Sequence, residues 1–315
     1  MQTMRITYPG LRRHAKAFRH WSGVSVAEFD ALYPRFEAAW VQAETTRLHG
    51  RIRQRALGGG GDYTLDLDTR LLMLLVWLRH YLTGETLGYL FGVSQSTVSR
   101  NLTRMLPVLQ QLAATHLHGP PPKGGERSLT QLRQAQPDLF AIFDATEQSV
   151  QCPHDDAQSR RYFSGKQRRP TSKTVIQVNE DGLIRQVAAT QPGALHDVTY
   201  LRQSGLLAHV PNTAIVVADS AFVGLYRDLP DHSVLVPHKA YRHHPLLPDH
   251  KLANRELSAI RIRIENVFAH LKIFRILSHR FRHNVALVHS QVFLIIAALH
   301  NGRTRNRLHQ ARLAA

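Results

Sequence analysis

The apolar positions of this chain change period once, and the change divides it. Over residues 22–48, SGVSVAEFDALYPRFEAAWVQAETTRL, the apolar Val26, Phe29, Leu32, Phe36 and Trp40 recur at intervals of three and four, the period of one helix face. Ser25 precedes the run and Glu28 follows it by three, a pair that can cap the helix reciprocally. LDTRLLMLLVWLRHYL (67–82) reads as a second helix starting near Asp66 or Asp68, ETLGYLFG (85–92) as a short third, and SQSTVSRNLTRML (94–106) as a fourth with Ser94 at its N-cap. After residue 138 the period shortens. LFAIFDATEQSVQ, KTVIQVNEDG, LIRQVAATQ, TAIVVADSAF and SVLVPHK read as strands, and NEDG (179–182) reads as a hairpin turn between two of them. HDVTYLRQSGLL (196–207) predicts a helix capped by Asp197, RELSAIRIRIENVFAHLKIFRIL (255–277) a long helix, and a last helix runs from about 285 to 305. Strands interleaved with helices predict an α/β fold with a mixed sheet flanked by helices, preceded by an all-α region.

The boundary is marked by HGPPPKGGER (118–127), rich in proline and glycine. The expected organisation is a helical domain over 1–117, a linker over 118–137 and an α/β domain over 138–315. A second glycine-rich stretch, RIRQRALGGGGDY (51–63), lacks the Gly-Lys-Ser/Thr and preceding strand of a phosphate loop and reads as a connector.

Charge changes the picture. Forty Lys and Arg stand against 23 Asp and Glu, a formal net charge of +17, which points to a polyanionic partner, nucleic acid above all. The one cysteine, Cys152, excludes an intrachain disulfide and a cysteine-built zinc site. The N-terminus has no signal-peptide shape, and the apolar run VFLIIAAL (292–299) is too short to span a membrane. A soluble intracellular protein is expected.

Within the helical region, LGYLFGVSQSTVSRNL has the pattern of a helix-turn-helix, over about 69–106. Gly88 is small where the helices approach, Gly92 suits the positive φ of the turn, and Val93 and Val98 pin the second helix. That places Gln95, Ser96, Thr97, Ser99 and Arg100 at the front of the second helix, where such motifs touch bases and phosphates.

Two carboxylates end apolar strand patterns: Asp144 after LFAIF and Asp219 after AIVVA. Each alone reads equally well as a strand-end cap. A third acid, Glu265, lies beside the apolar stripe Leu257, Ile260, Ile264, Val267, Leu271 and Phe274, with Arg261 and Lys272 on its own face. A helix packed on that stripe can bring Glu265 toward the strand ends, although pairing with Arg261 or Lys272 would equally explain it. Three clustered acids repel unless a divalent cation neutralises them, and carboxylate oxygens with water suit Mg²⁺ or Mn²⁺. Two such ions can activate a water or a 3′-hydroxyl and stabilise the leaving oxygen of a phosphodiester.

These motifs together resemble one family. WSGVSVAEFDALYPRF, LRHYLTGETLGYLFGVSQSTVSRNL, IFDATE, YFSGK, ALHDVTYL, VVADSAF and RIENVFAHLK follow the order seen in DDE transposases of bacterial insertion sequences, in the group related to Harbinger-type elements. The resemblance covers nearly the whole chain. It implies an RNase H-like catalytic domain with Asp144, Asp219 and Glu265 as the catalytic, metal-holding triad, served by Mg²⁺ (Mn²⁺ as substitute), as two ions. Arg261, Glu265 and Lys272 match a Tyr-Arg-Glu-Lys signature in which Ser258 replaces the tyrosine. RRYFSGKQRRPTSK (160–173) resembles the family's basic hairpin, with Pro170 at a position usually histidine. Lys166, Arg168, Arg169 and Lys173 are then expected phosphate contacts, together with Arg261 and Lys272. His196 and Asp197 match a His-Asp pair near the site. The implied activity is binding of element terminal repeats in double-stranded DNA, strand cleavage, and transfer into target DNA by a dimer or higher assembly in the bacterial cytoplasm, at the nucleoid. A nuclease that cuts without joining, or a helix-turn-helix protein without activity, are the alternatives.

Overall fold

The computed structural model describes residues 5–49, 64–118, 140–240 and 245–314. The connector over 51–63 and most of the 118–137 linker lie outside the described residues. The helical region holds α1 (Tyr8–Arg12), α2 (Ala15–Ser22), α3 (Val26–His49), α4 (Leu67–His80), α5 (Gly84–Phe91) and α6 (Gln95–His118). The capping box closes α3: Ser25 N–H donates to Glu28 Oε2 at 2.7 Å and Glu28 N–H to Ser25 Oγ at 3.2 Å. Phe29, Phe36 and Trp40 of the apolar spacing are buried.

The α/β region begins with β1 (Phe140–Ser149). It continues through α7 (Asp156–Tyr162), β2 (Phe163–Ser164), β3 (Arg169–Val178), β4 (Ile184–Val187), β5 (Gln191–Pro192), α8 (Asp197–Gln203), β6 (Ile215–Ala218) and β7 (Val234–Leu235), and ends with α9 (Pro248–Lys272) and α10 (Ser290–Ala314). The sheet runs β2-β3-β1-β6-β7, with β4 and β5 also pairing β3. β1 is antiparallel to β3 and parallel to β6, and β6 is parallel to β7. This is the mixed sheet flanked by helices that the strand and helix patterns predict.

Alternation along each strand sends side chains to two cores. Ala141, Phe143, Val175, Val216 and Ala218 face a smaller core closed by α8 and by Phe222 and Leu225. Ile142, Ile176, Val178, Ile184 and Val217 face the larger core, which continues through α9 and α10 into α3, α4 and α6. The helical region therefore shares a core with the sheet. Its seam also carries polar contacts: Tyr81 accepts from Arg282 N–H at 2.6 Å and stacks on Phe281, and Arg79 donates to the Ile273 carbonyl.

Several boundaries differ from those read in the sequence, the last helix for one running to Ala314 rather than to about 305. α6 continues through Pro107 to His118. Proline removes the bond to the carbonyl four residues back, here that of Thr103. Both residues are exposed, so water meets the carbonyl, while Met105, Leu106, Val108 and Leu109 are buried and hold the helix. α9 starts at Pro248, in the first turn where proline's missing N–H costs nothing. Asp197 is the first residue of α8 and His196 holds the cap position, without a side-chain capping bond. Asp197 is drawn away by Lys173 instead.

By length and composition alone the helical stretch Val285–Ala311 could cross a membrane. Here Val292, Phe293, Ile295, Ile296 and Ala297 fill the larger core, and buried polar groups on the same stretch have partners. Asn301, 1% exposed, donates to Ile184 O at 2.7 Å and accepts from Ile184 N–H at 2.8 Å, completing β4 as a neighbouring strand would. Asn301→Ala leaves both backbone groups buried and unpaired, and is expected to lower unfolding free energy by about 2–4 kcal/mol. Urea denaturation checks this, and a loss below the error of the fit would show that water replaces the amide.

Candidate active site

Asp144 and Asp219 meet because of sheet register. Ile142 pairs with Val217 and Phe143 with Ala218 across the parallel β1–β6 ladder. One step further along both strands stand Asp144 and Asp219. Strand alternation gives them the parity of Ile142 and Val217, so they emerge on the face covered by α9. Each carboxylate accepts from the backbone N–H that follows it, Asp144 Oδ1 from Ala145 at 2.8 Å and Asp219 Oδ1 from Ser220 at 2.6 Å.

From α9, Arg261 reaches both. Its Nη2 lies 3.7 Å from Asp144 Oδ2 and its Nη1 3.4 Å from Asp219 Oδ1. The Asp144 carboxyl is pushed up to about 6, first by burial and further by the charges of Asp219 and Asp197, against the opposing pull of the Ala145 N–H and Arg261. Glu265 lies one turn beyond Arg261 on α9 and is exposed. Among the described residues it has no ion pair, so Arg261 serves the aspartates rather than Glu265.

A second charged group adjoins this one. Lys173, expected as a phosphate contact, is 6% exposed. Its Nζ lies 2.6 Å from Asp197 Oδ1 and 3.5 Å from Glu147 Oε1, and donates to Leu195 O at 2.8 Å. Glu147, which the sequence reading left without a role, is Lys173's partner in the β1–β3 register and also accepts from Thr171 Oγ1 at 2.9 Å. The alternation signal was available: Glu147 has the parity of Phe143, opposite to Asp144. Lys173 is thus turned inward as a clamp that holds Asp197 beside the site. Lys166 and Arg168 are exposed in the turn between β2 and β3, with Arg168 at φ 50°, and Arg169 is exposed at the start of β3. Lys272 is exposed at the end of α9. His196 flanks the site at the start of α8.

Among the described residues no three His, Cys, Asp or Glu side chains stand close enough to make a closed metal site. The donor chemistry still fits a hard divalent cation. Mg²⁺ is commonly held by one or two carboxylates plus substrate phosphate, keeping water on its other positions. Asp144 and Asp219 are two carboxylates already converging on one cation, the Arg261 guanidinium.

The helix-turn-helix is built by α5 and α6. Thr83 caps α5, accepting from Thr86 N–H, and Gly92 ends it at φ 66°. A Cβ on Gly88 would stand 2.5 Å from the Val93 carbonyl oxygen, so only glycine lets the turn close against α5. Ser94 caps α6 through Thr97 N–H at 3.3 Å, and Val98 is buried. Gln95, Ser96, Ser99 and Arg100 are exposed on the first turns of α6 and Thr97 is partly so. Arg100 folds back on the Ser96 carbonyl at 3.1 Å. Beside them Arg70, Thr97, Arg100, Asn101 and Arg104 line a cleft of about 240 Å³.

Asp219 follows the end of β6 as the sequence pattern predicts, but Asp144 lies in the middle of β1, which the β3 ladder carries on to Ser149. A helix-turn-helix region ahead of an α/β domain with paired aspartates on adjacent parallel strands fits a DNA-processing class. The family model of DDE superfamily endonucleases matches residues 143–301, and that of the helix-turn-helix of DDE superfamily endonucleases matches residues 63–115. The chain belongs to the DDE superfamily endonucleases, and its mixed sheet with flanking helices is an RNase H-like DDE domain. It is 26% identical over 219 residues to a Microchaete diplosiphon protein named as a transposase for insertion sequence element IS702, covering 69% of this chain and 74% of that one. It is 26% identical over 253 residues to a Streptomyces albus G protein named as a transposase for insertion sequence element IS112, covering 80% and 85%. No solved structure matches the chain.

Proposed function

We propose that this protein is an insertion-sequence transposase that binds the terminal repeats of its element, cleaves a strand to leave a 3′-hydroxyl, and joins that end to target DNA. The observation that carries the reading is the convergence of Asp144 and Asp219 on one cation within 4 Å, from adjacent parallel strands. The names of the two relatives support it.

In this reading residues 1–117 grip the element end and 138–315 carry the chemistry. Gln95, Ser96, Thr97, Ser99 and Arg100 read the major groove, while Lys166, Arg168, Arg169 and Lys272 hold phosphates. Asp144 and Asp219 would hold divalent metal, Mg²⁺ with Mn²⁺ as substitute, as two ions. The chemistry such ions would supply is activation of an attacking water or hydroxyl and neutralisation of charge on the phosphodiester. Glu265, exposed on α9 one turn beyond Arg261, is the third acid of the proposed triad. Asp197, held by Lys173, adds negative charge beside Asp144 and keeps the pocket attractive to cations. His196 lies beside it. Acting on two ends at once calls for a dimer or higher assembly on the DNA, in the bacterial cytoplasm and at the nucleoid.

The test uses purified protein, labelled DNA carrying the element ends, a target plasmid and Mg²⁺ or Mn²⁺. Nicked ends and joined products are expected together. Nicks without joined products would make the protein a nuclease. Tight binding to unchanged DNA would leave only the helix-turn-helix as functional.

A further inference from the structure

Arg261 is an unusual partner for two aspartates. It uses a different nitrogen for each, and both separations, 3.7 and 3.4 Å, exceed the roughly 2.7–2.9 Å of a charge-assisted hydrogen bond. The planar fork that normally grips one carboxylate is instead suspended between two. The Arg261 Nε is buried and has no hydrogen-bond partner among the described residues. No directed hydrogen bond of the Nε thus helps to fix the guanidinium. Charge, and not directed bonding, therefore holds the guanidinium where it is. A divalent ion drawing one oxygen from each aspartate would stand in the same place, because both carboxylates already face the same point. Guanidinium and ion exclude one another sterically and by charge.

We propose that Arg261 and a divalent ion compete for the Asp144–Asp219 pair, and that the displaced guanidinium turns on its flexible stem to a DNA phosphate. This rests on the reading of Asp144 and Asp219 as the ion-holding pair. The device neutralises two converging acids with a side chain that α9 supplies, and releases that cation for substrate only when the ion arrives. Metal and DNA binding are thereby coupled through one residue. Lys173 does not substitute for it, because Asp197, Glu147 and the Leu195 carbonyl already engage its ammonium.

The full-length protein is treated with phenylglyoxal, which modifies accessible guanidinium groups, with and without saturating Mn²⁺ and without DNA. Modification of Arg261 is followed by peptide mass spectrometry. Arg261 is expected to react about tenfold faster with Mn²⁺ present, within the usual range for coupling between two competing ligands. Manganese binding is measured in parallel by electron paramagnetic resonance on the wild type, Arg261→Gln and Asp144→Asn. Arg261→Gln is expected to bind Mn²⁺ about tenfold more tightly, and Asp144→Asn to lose the site. Equal Arg261 reactivity with and without Mn²⁺, while Asp144→Asn still abolishes binding, overturns the competition and leaves the ion-holding pair intact. Binding to Asp144→Asn as tight as to the wild type overturns the pair itself.

Discussion

Asp144→Ala and Asp219→Ala are each expected to reduce strand cleavage by about three orders of magnitude or more, and the double variant by little beyond either alone. Residues that act as one unit are not additive in their losses, and these two converge on one cation from adjacent strands. DNA binding should survive in both, because the helix-turn-helix surface on α6 does not touch the aspartates. Gel-shift and end-nicking assays on the same preparations separate the two. Glu265→Gln and Asp197→Asn belong in the same series, since Glu265 is exposed whereas Asp197 is close enough to raise the pKa of Asp144. Loss of cleavage in Glu265→Gln comparable to Asp144→Ala would establish it as the third acid. Full cleavage in that variant, with loss in Asp197→Asn, would move the role to α8. Cleavage retained in Asp144→Ala would sink the active-site assignment altogether.

Acid is expected to unfold this protein through two histidines far from those aspartates in sequence. His289, 2% exposed, donates from Nε2 to Gln148 Oε1 at 2.7 Å and accepts at Nδ1 from Thr190 Oγ1 at 2.9 Å, a neutral-ring arrangement. His300, 8% exposed, has its Nε2 3.0 Å from the Gly182 carbonyl. Burial holds both rings down to about 4 from 6.5, their ordinary value. The unfolded chain therefore binds more protons than the native one between those values. Their contribution to stability is complete above about pH 6.5, falls as pH drops, and levels off below about 4, while the raised Asp144 carboxyl opposes it with the contrary sign below about pH 6. Each histidine removes about 1.4 kcal/mol per pH unit in that window, on the order of 3 kcal/mol in full. Urea midpoints at pH 7, 6 and 5 measure the slope. His289→Gln should flatten it by one proton, and an unchanged slope would refute the assignment. The consequence reaches the site, because Gln148 lies on β1 with the parity of Asp144. Its amide also donates to Ile276 O and His279 O, anchoring β1 to the segment after α9.

Much of this architecture was legible in the chain itself. The Ser25–Glu28 capping box, the glycine pair of the turn at 88 and 92, and the NEDG turn with Gly182 at φ 79° are local devices. They act over a few residues, and the sequence carries them whole. The β1 and β6 patterns ending in Asp144 and Asp219 were readable for the same reason, since an apolar run closed by a carboxylate is a local feature. Other features were not. The five-residue helix α1 and the two-residue strands β2 and β5 have too few residues to show a period, and α2, though as long as α5, was not read. The helix read over 94–106 runs on through Pro107, and packing of the residues around it keeps α6 helical there.

What the sequence by itself determined is the inventory: which longer segments are helix or strand, which acids close apolar runs, and that the chain carries an excess of positive charge suited to DNA; that β1 runs on past Asp144 to Ser149 was decided by its ladder with β3. Tertiary structure decided who meets whom. Strand register brought Asp144 beside Asp219, the turn of α9 set Arg261 between them and left Glu265 exposed, and the β1–β3 ladder turned Lys173 inward onto Asp197 and Glu147. A charge in sequence has no preferred partner. Partners are assigned by pairings between residues tens of positions apart, 75 between Asp144 and Asp219, and by the burial that makes each pairing count.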